Sequence, residues 1–206
     1  EYHLIIGDML ESANRDDPDK VLFKIAYHYN NTLQMKKKLT YNEKAYHKSL
    51  SLYSLPEALY YVRTVLDYYL TNTVYVPQLT DLVIGGSSVM HACGNVAESF
   101  SYLEKVLELF KGNITSEDEI RIVSAIAAGH YYINELDQAV VYCEKALELA
   151  EQVRDYQDSG NLYFVLGSVN WFIGNLPKAV EYLDSAHHYF TGNNMYDSLI
   201  NEIKNR

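Results

Sequence analysis

A segment that recurs every 40 residues constrains this chain more than any other feature of its sequence. Residues 98–110, ESFSYLEKVLELF, align with 138–150, QAVVYCEKALELA, and with 178–190, KAVEYLDSAHHYF. Tyr102, Tyr142 and Tyr182 become equivalent, as do Val106, Ala146 and Ala186. One step back, with a slip of one residue, Leu55-Pro56-Glu57-Ala58 matches Leu176-Pro177-Lys178-Ala179. A unit this short cannot bury its own apolar face, so its copies must stack and build a core between neighbours.

Each copy follows a second apolar-periodic segment, most clearly in the last pair. There Tyr163, Leu166, Gly167 and Asn170 precede a Gly174-Asn175 turn, and Ala179, Leu183 and Ala186 follow it. This resembles the tetratricopeptide pattern, with Tyr for the usual Trp and Asn for the usual Tyr. Small residues belong where two antiparallel helices approach closely. Gly167, Ala179 and Ala186 take those places; earlier copies offer Ala127, Ala139 and Ala146, then Ser87, Ser99 and Val106. The first copy offers Tyr46, Ala58 and Val65, a poorer fit. The expected fold is all-α, a right-handed superhelical solenoid of tetratricopeptide-like helix hairpins in a single domain, 1–206. Helices are expected at 2–13 and 19–37, within an N-terminal region 1–38. Four hairpins follow over 39–191: 40–53 with 56–70, 79–93 with 96–111, 118–133 with 136–152, and 159–173 with 176–190. A capping helix is expected at 195–206, and Ser116 with Glu119 reads as a capping box.

Charge excludes one class of partner. The chain carries a formal net charge of −10, and residues 1–50 are near neutral. A phosphate backbone needs a basic face, and none is supplied, so no nucleic-acid contact is expected from this region. Lys36-Lys37-Lys38 reads as a solvated helix C-terminus. Residues 82–97 are too short to span a bilayer, and no secretory signal opens the chain, so a membrane partner is not expected. Cys93 and Cys143 lack CxxC or metal spacing and read as reduced, packed thiols of a cytoplasmic protein. The chain opens on Glu1 rather than Met, which reads as a segment of a longer protein.

No enzyme motif is present, whether HExxH, P-loop, GxSxG or GxGxxG, and neither catalysis nor a cofactor is expected. Gly85-Gly86-Ser87-Ser88 aligns with Leu166-Gly167-Ser168 and so reads as mid-helix packing rather than a phosphate loop. His187 and His188 are adjacent on one helix and point to different faces, which argues against a metal pair. The Asp-rich run at 16–19 lacks calcium-loop spacing.

The first helix of each hairpin is expected to line a concave groove. Counting from the Gly167-type position, the inward residues are Asn161, Phe164, Ser168 and Trp171 in the last hairpin, and Arg121, Ser124, Ala128 and Tyr131 in the third. The second gives Asp81, Ile84, Ser88 and His91, and the first gives Thr40, Glu43, His47 and Leu50. Rings suit the side chains of an extended peptide, while hydroxyls and amides suit its backbone. Arg121 is read either as a partner for a peptide carboxylate or as an internal partner of Asp81. At any single position, packing between repeats competes with ligand contact.

The 40-residue period and the closing segment from Ala186 through Met195 to Lys204 are similar to the sensor domains of bacterial peptide-pheromone receptors. These are the Rap, Rgg, Npr, Plc and Prg regulators of low-GC Gram-positive bacteria. The resemblance implies a homodimeric sensor that binds a short, re-imported signalling peptide and controls an attached DNA-binding domain. The alternatives are a constitutive protein–protein interaction scaffold and a Rap-like regulator of a response regulator, for which Gln34 is the only candidate amide. The lysines and asparagines of a chaperone-carboxylate clamp are missing from the inward positions.

Overall fold

The computed structural model describes residues 1–153 and 159–190. Ten α-helices follow one another with no strand among the described residues: α1 Tyr2–Ala13, α2 Leu22–Asn30, α3 Met35–Ser51, α4 Leu55–Thr71, α5 Leu79–Ala92, α6 Val96–Leu109, α7 Ser116–Tyr132, α8 Leu136–Glu151, α9 Ser159–Phe172 and α10 Leu176–Phe190. A 3₁₀ turn, Pro18–Val21, precedes α2. The chain forms two compact units, Glu1–Tyr102 and Leu103–Arg206, so α6 contributes to both. The four expected hairpins are α3–α4, α5–α6, α7–α8 and α9–α10; their ends lie within two residues of the expected places, except that α3 starts at Met35 rather than at residue 40.

One backbone device makes all four hairpins. Tyr53, Gly94, Asn134 and Gly174 follow the first helices with φ of 56°, 79°, 63° and 80°. The next amide reaches back to close each turn: Ser54 N to Ser49 O at 2.9 Å, Asn95 N to Met90 O at 2.7 Å, Glu135 N to His130 O at 2.9 Å, and Asn175 N to Asn170 O at 2.8 Å. This is the left-handed C-terminal cap that satisfies otherwise orphaned carbonyls. The step from Tyr53 to Gly94 is one residue longer than the others, which is the slip seen in the sequence.

Within the hairpins the small residues work by proximity. A Cβ on Gly167 would lie 2.7 Å from Leu183 Cγ, so α9 and α10 meet at a distance only glycine permits. Ala127, Ala139 and Ala146 are fully buried. In the second hairpin Ser87 and Ser99 replace alanine and hydrogen-bond to each other at 2.9 Å, which satisfies two buried hydroxyls. The first hairpin carries the bulky Tyr46, only 2% exposed. Its hydroxyl occupies the space a side chain on Gly85 of α5 would need, 2.6 Å from the Cβ position. Gly85 thus compensates for the poor fit of Tyr46.

The expected helix 19–37 is instead two helices. Asn31 Nδ2 donates to Tyr27 O, and Thr32 Oγ1 donates to Tyr29 O at 2.9 Å. These side chains capture the last carbonyls of α2 and compete with helix continuation. Lys36, Lys37 and Lys38 therefore lie in the first turn of α3, not at a helix C-terminus. Cations are disfavoured there by the helix dipole, and for Lys37 an ion-pair network supplies the compensation. Its Nζ lies 2.7 Å from both Asp8 Oδ1 and Glu11 Oε2 and 2.9 Å from Tyr29 Oη. Tyr41 donates to Glu11 Oε1 at 2.7 Å, and Lys37 also sits 4.9 Å over the Tyr29 ring. The network ties α1 to α2 and α3. Chiefly through the Lys37 hydrogen bond, the Glu11 carboxyl is drawn down to about 2. Lys37 is raised, first by Asp8 and then by Glu11.

The cap of α7 also differs by one residue. Thr115, not Ser116, accepts from the backbone, its Oγ1 taking Asp118 N at 3.1 Å. Thr115 keeps extended backbone, as an N-cap must, while Ser116 is already helical. The capping helix expected at 195–206 lies outside the described residues.

Candidate functional site

In the unit Leu103–Arg206, α7 and α9 are neighbouring first helices, and their expected inward residues can be placed one by one. On α7, Arg121 Nη1 donates to Asp118 Oδ1 at 3.1 Å, one turn back along its own helix. Ser124 is half-buried and gives its hydroxyl proton to Ile120 O at 2.7 Å. Ala128 is half-buried. On α9, Asn161 is exposed, Phe164 is half-buried, and Ser168 donates to Phe164 O at 2.8 Å. Serines that return their proton to the preceding turn keep their acceptor lone pairs unused. They can accept from a ligand amide.

Four residues past the Gly-type position the stripe turns aromatic. Tyr131 packs on Phe172 across the two helices, with centroids 6.2 Å apart. Trp171 is 37% exposed, Phe172 67% and Tyr132 78%. Tyr132 and Phe172, the exposed neighbours, lie outside the positions that the repeat offset marks as inward. The signal for them was the recurrence of Tyr131-Tyr132-Ile133 as Trp171-Phe172-Ile173, one period later. An exposed apolar ledge at the ends of adjacent helices, with hydroxyl acceptors on the same helices, is suited to grip an extended chain.

In the unit Glu1–Tyr102, His47 is exposed and lines an open cavity of about 470 Å³ with Pro18, Leu22, Lys44, Lys48 and Ser51. Ser88 is exposed and donates to Ile84 O. His91 is turned into its own hairpin: its Nε2 lies 2.7 Å from Ser99 Oγ and its ring meets Phe100 edge-on. His91 sits four residues after Ser87, so both share the face that meets α6. Gln34 is exposed at the N-cap of α3. Gly85-Gly86-Ser87-Ser88 is mid-helix in α5.

No group of three or more His, Cys, Asp or Glu is placed to hold a metal ion among the described residues. No described helix is long and apolar enough to cross a membrane.

Paired antiparallel helices, left-handed turns every 40 or 41 residues and small residues at the close approaches of the last three hairpins decide the architecture. The chain has the tetratricopeptide-repeat fold. Solved structures agree at low sequence identity. BtubC (BKLC) from P. vanneervenii matches with a TM-score of 0.70 and 14% identity, over 93% of this chain and 80% of that one. A Rap protein complexed with Competence and Sporulation Factor matches with a TM-score of 0.67 and 15% identity, over 97% of this chain and 56% of that one. YrrB, described as a TPR protein with an unusual peptide-binding site, matches with a TM-score of 0.56 and 17% identity, over 96% and 89%. At such identities the likeness establishes the tetratricopeptide fold. No protein-family model matches the sequence, and no curated protein matches it.

Proposed function

We propose that this tetratricopeptide domain binds a short linear peptide along its first helices. Arg121, Ser124, Ala128 and Tyr131 on α7 and Asn161, Phe164, Ser168 and Trp171 on α9 would form the contact, all within the unit Leu103–Arg206. The observation that carries this reading is the aromatic ledge of Tyr131, Trp171 and Phe172, with Ser124 and Ser168 on the same helices keeping acceptor capacity. The Rap protein complexed with Competence and Sporulation Factor and YrrB, with its unusual peptide-binding site, lend support as structural neighbours. On this reading the peptide is a signal sensed in the cytoplasm by a homodimeric regulator of quorum-sensing transcription. Binding would act by favouring one curvature of the repeats over another.

Trp171 is the only tryptophan in the chain and therefore an intrinsic probe of this face. A library of short synthetic peptides is titrated while Trp171 emission is recorded. A binding peptide shifts that emission saturably, and Phe164→Ala or Asn161→Ala weakens it at least tenfold. A peptide that binds by calorimetry yet leaves Trp171 emission and both variants unaffected refutes the assignment.

A further inference from the structure

The second helices of the unit Glu1–Tyr102 are sealed to each other by two polar contacts. Tyr102 of α6 donates to Asp67 of α4 at 2.5 Å. Arg63 of α4 lays its guanidinium on Glu98 of α6, Nε to Oε1 at 2.7 Å. With the one-residue slip applied, the same positions one hairpin later are Glu104 for Arg63, Glu108 for Asp67, Gln138 for Glu98 and Tyr142 for Tyr102. The guanidinium has become a carboxylate, and its acceptor has become a neutral amide. The seam between α6 and α8 thus cannot form the guanidinium contact, and the phenol contact, for which Tyr142 and Glu108 keep a phenol and a carboxylate, is not made. Among the described residues neither Glu104, Glu108 nor the Tyr142 hydroxyl enters a hydrogen bond.

A cavity of about 420 Å³ occupies this open seam, wholly within the unit Leu103–Arg206. Leu107, Ile114, Ile126 and Tyr142 supply apolar lining; Glu104, Glu108 and Glu119 supply carboxylates against Lys111 and Lys145. The Tyr142 ring is held by stacking on His130, with centroids 5.3 Å apart and planes 15° apart. None of the five charged groups is in an ion pair among the described residues. Gly112 turns the chain at the rim with φ of 87°, anchored by the buried Phe110.

We propose that the α6–α8 seam is a second docking site, separate from the peptide face, for a protein segment that presents an arginine flanked by apolar residues. The sealed seam shows the chemistry that the open one can accept. A guanidinium from outside takes the role Arg63 plays one hairpin earlier, its fork on Glu104 and Glu108 and its stem along Tyr142. Three carboxylates against two amines give the cavity a net negative charge that complements such a segment. Leu107 and Ile114, both half-buried, receive the flanking apolar side chains.

The test uses two capped probes, acetyl-Leu-Arg-Leu-Arg-amide and its counterpart with Glu for both arginines, titrated into protein labelled at its isoleucine methyls. Ile114 and Ile126 should shift saturably with the arginine probe, less so at high salt, and not with the glutamate probe. The variant Glu104→Arg/Gln138→Glu rebuilds the Arg63–Glu98 pair in the open seam. It should melt at or above the wild-type temperature and bind the arginine probe at least tenfold more weakly. Glu104→Gln/Glu108→Gln, which keeps size and shape, should lose the same affinity, so the result does not rest on one variant folding. Equal shifts with both probes, no saturable shift, or unchanged affinity in either folded variant overturns the proposal. A shift confined to Trp171 also overturns it, because the probe has then bound the peptide face instead.

Discussion

Gly167 of α9 and Leu183 of α10 approach so closely that a single methyl on the glycine would fall 2.7 Å from Leu183 Cγ and 2.9 Å from its Cδ2. The Ala179 carbonyl stands 3.3 Å from the same point, so the methyl would also crowd backbone. Gly167→Ala should destabilise the domain by about 1–3 kcal/mol through overpacking, less whatever alanine regains in helix propensity. Ala179→Leu, at a position 1% exposed, should cost a similar amount. Urea midpoints measured for both variants check this; midpoints that do not move would mean that α9 and α10 pack in another register.

The Ser87–Ser99 pair predicts a non-additive cycle. Ser99→Ala alone leaves the buried Ser87 hydroxyl without its partner and should cost about 1–3 kcal/mol. Ser87→Ala/Ser99→Ala restores the small apolar contact that Ala127 and Ala139 make in the next hairpin. The double variant should therefore be less destabilised than the two single changes summed. Additive losses in denaturant titrations would show that the two hydroxyls are not coupled.

The Lys37 network predicts an acid limit. Glu11 has a folded pKa of about 2 against the usual 4.5, mainly because Lys37 hydrogen-bonds the ionised form. A depressed carboxylate contributes stability above its unfolded pKa and loses it as pH falls through the folded one. Stability should therefore drop as pH falls from about 4.5 toward 2. In Lys37→Met that part of the decline should shrink, and stability at neutral pH should fall by about 1 kcal/mol or less, since the pair is partly exposed to solvent. Chemical denaturation across this window, wild type against variant, makes the comparison; parallel curves would show that Lys37 does not set the Glu11 titration.

The two cysteines should separate kinetically. Burial, with a smaller contribution from Glu144, pushes the Cys143 thiol up to about 12, and the side chain is fully buried. Cys93 is partly exposed. A thiol-reactive dye at mildly alkaline pH should label Cys93 in the native protein and Cys143 only on unfolding. Equal labelling rates in native protein would show that the third hairpin opens readily.

Much of the fold was legible because a repeat writes its period into the chain. Gly94, Asn134 and Gly174 announce three hairpin turns, and the fourth, at Tyr53, is found by offset even though tyrosine is a poor left-handed residue. The break between α2 and α3 was not legible. It depends on Asn31 and Thr32 capturing carbonyls, and apolar periodicity runs straight across it. His91 was counted as inward by offset, but its ring is drawn to Ser99, a partner that spacing within one helix does not reveal.

The sequence by itself determined the all-α hairpin architecture, the turn positions and the small residues at the close approaches of the last three hairpins, since these are local properties that recur along the chain. Only the tertiary structure decided which charges meet. Lys37 reaches Asp8 and Glu11 from 29 and 26 residues away in sequence. Arg63 and Asp67 close one seam while Glu104 and Glu108 leave the equivalent one open. Electrostatic and hydrogen-bonded partners are chosen by distance in space, and a periodic sequence fixes helices far more tightly than it fixes the side chains that meet between them.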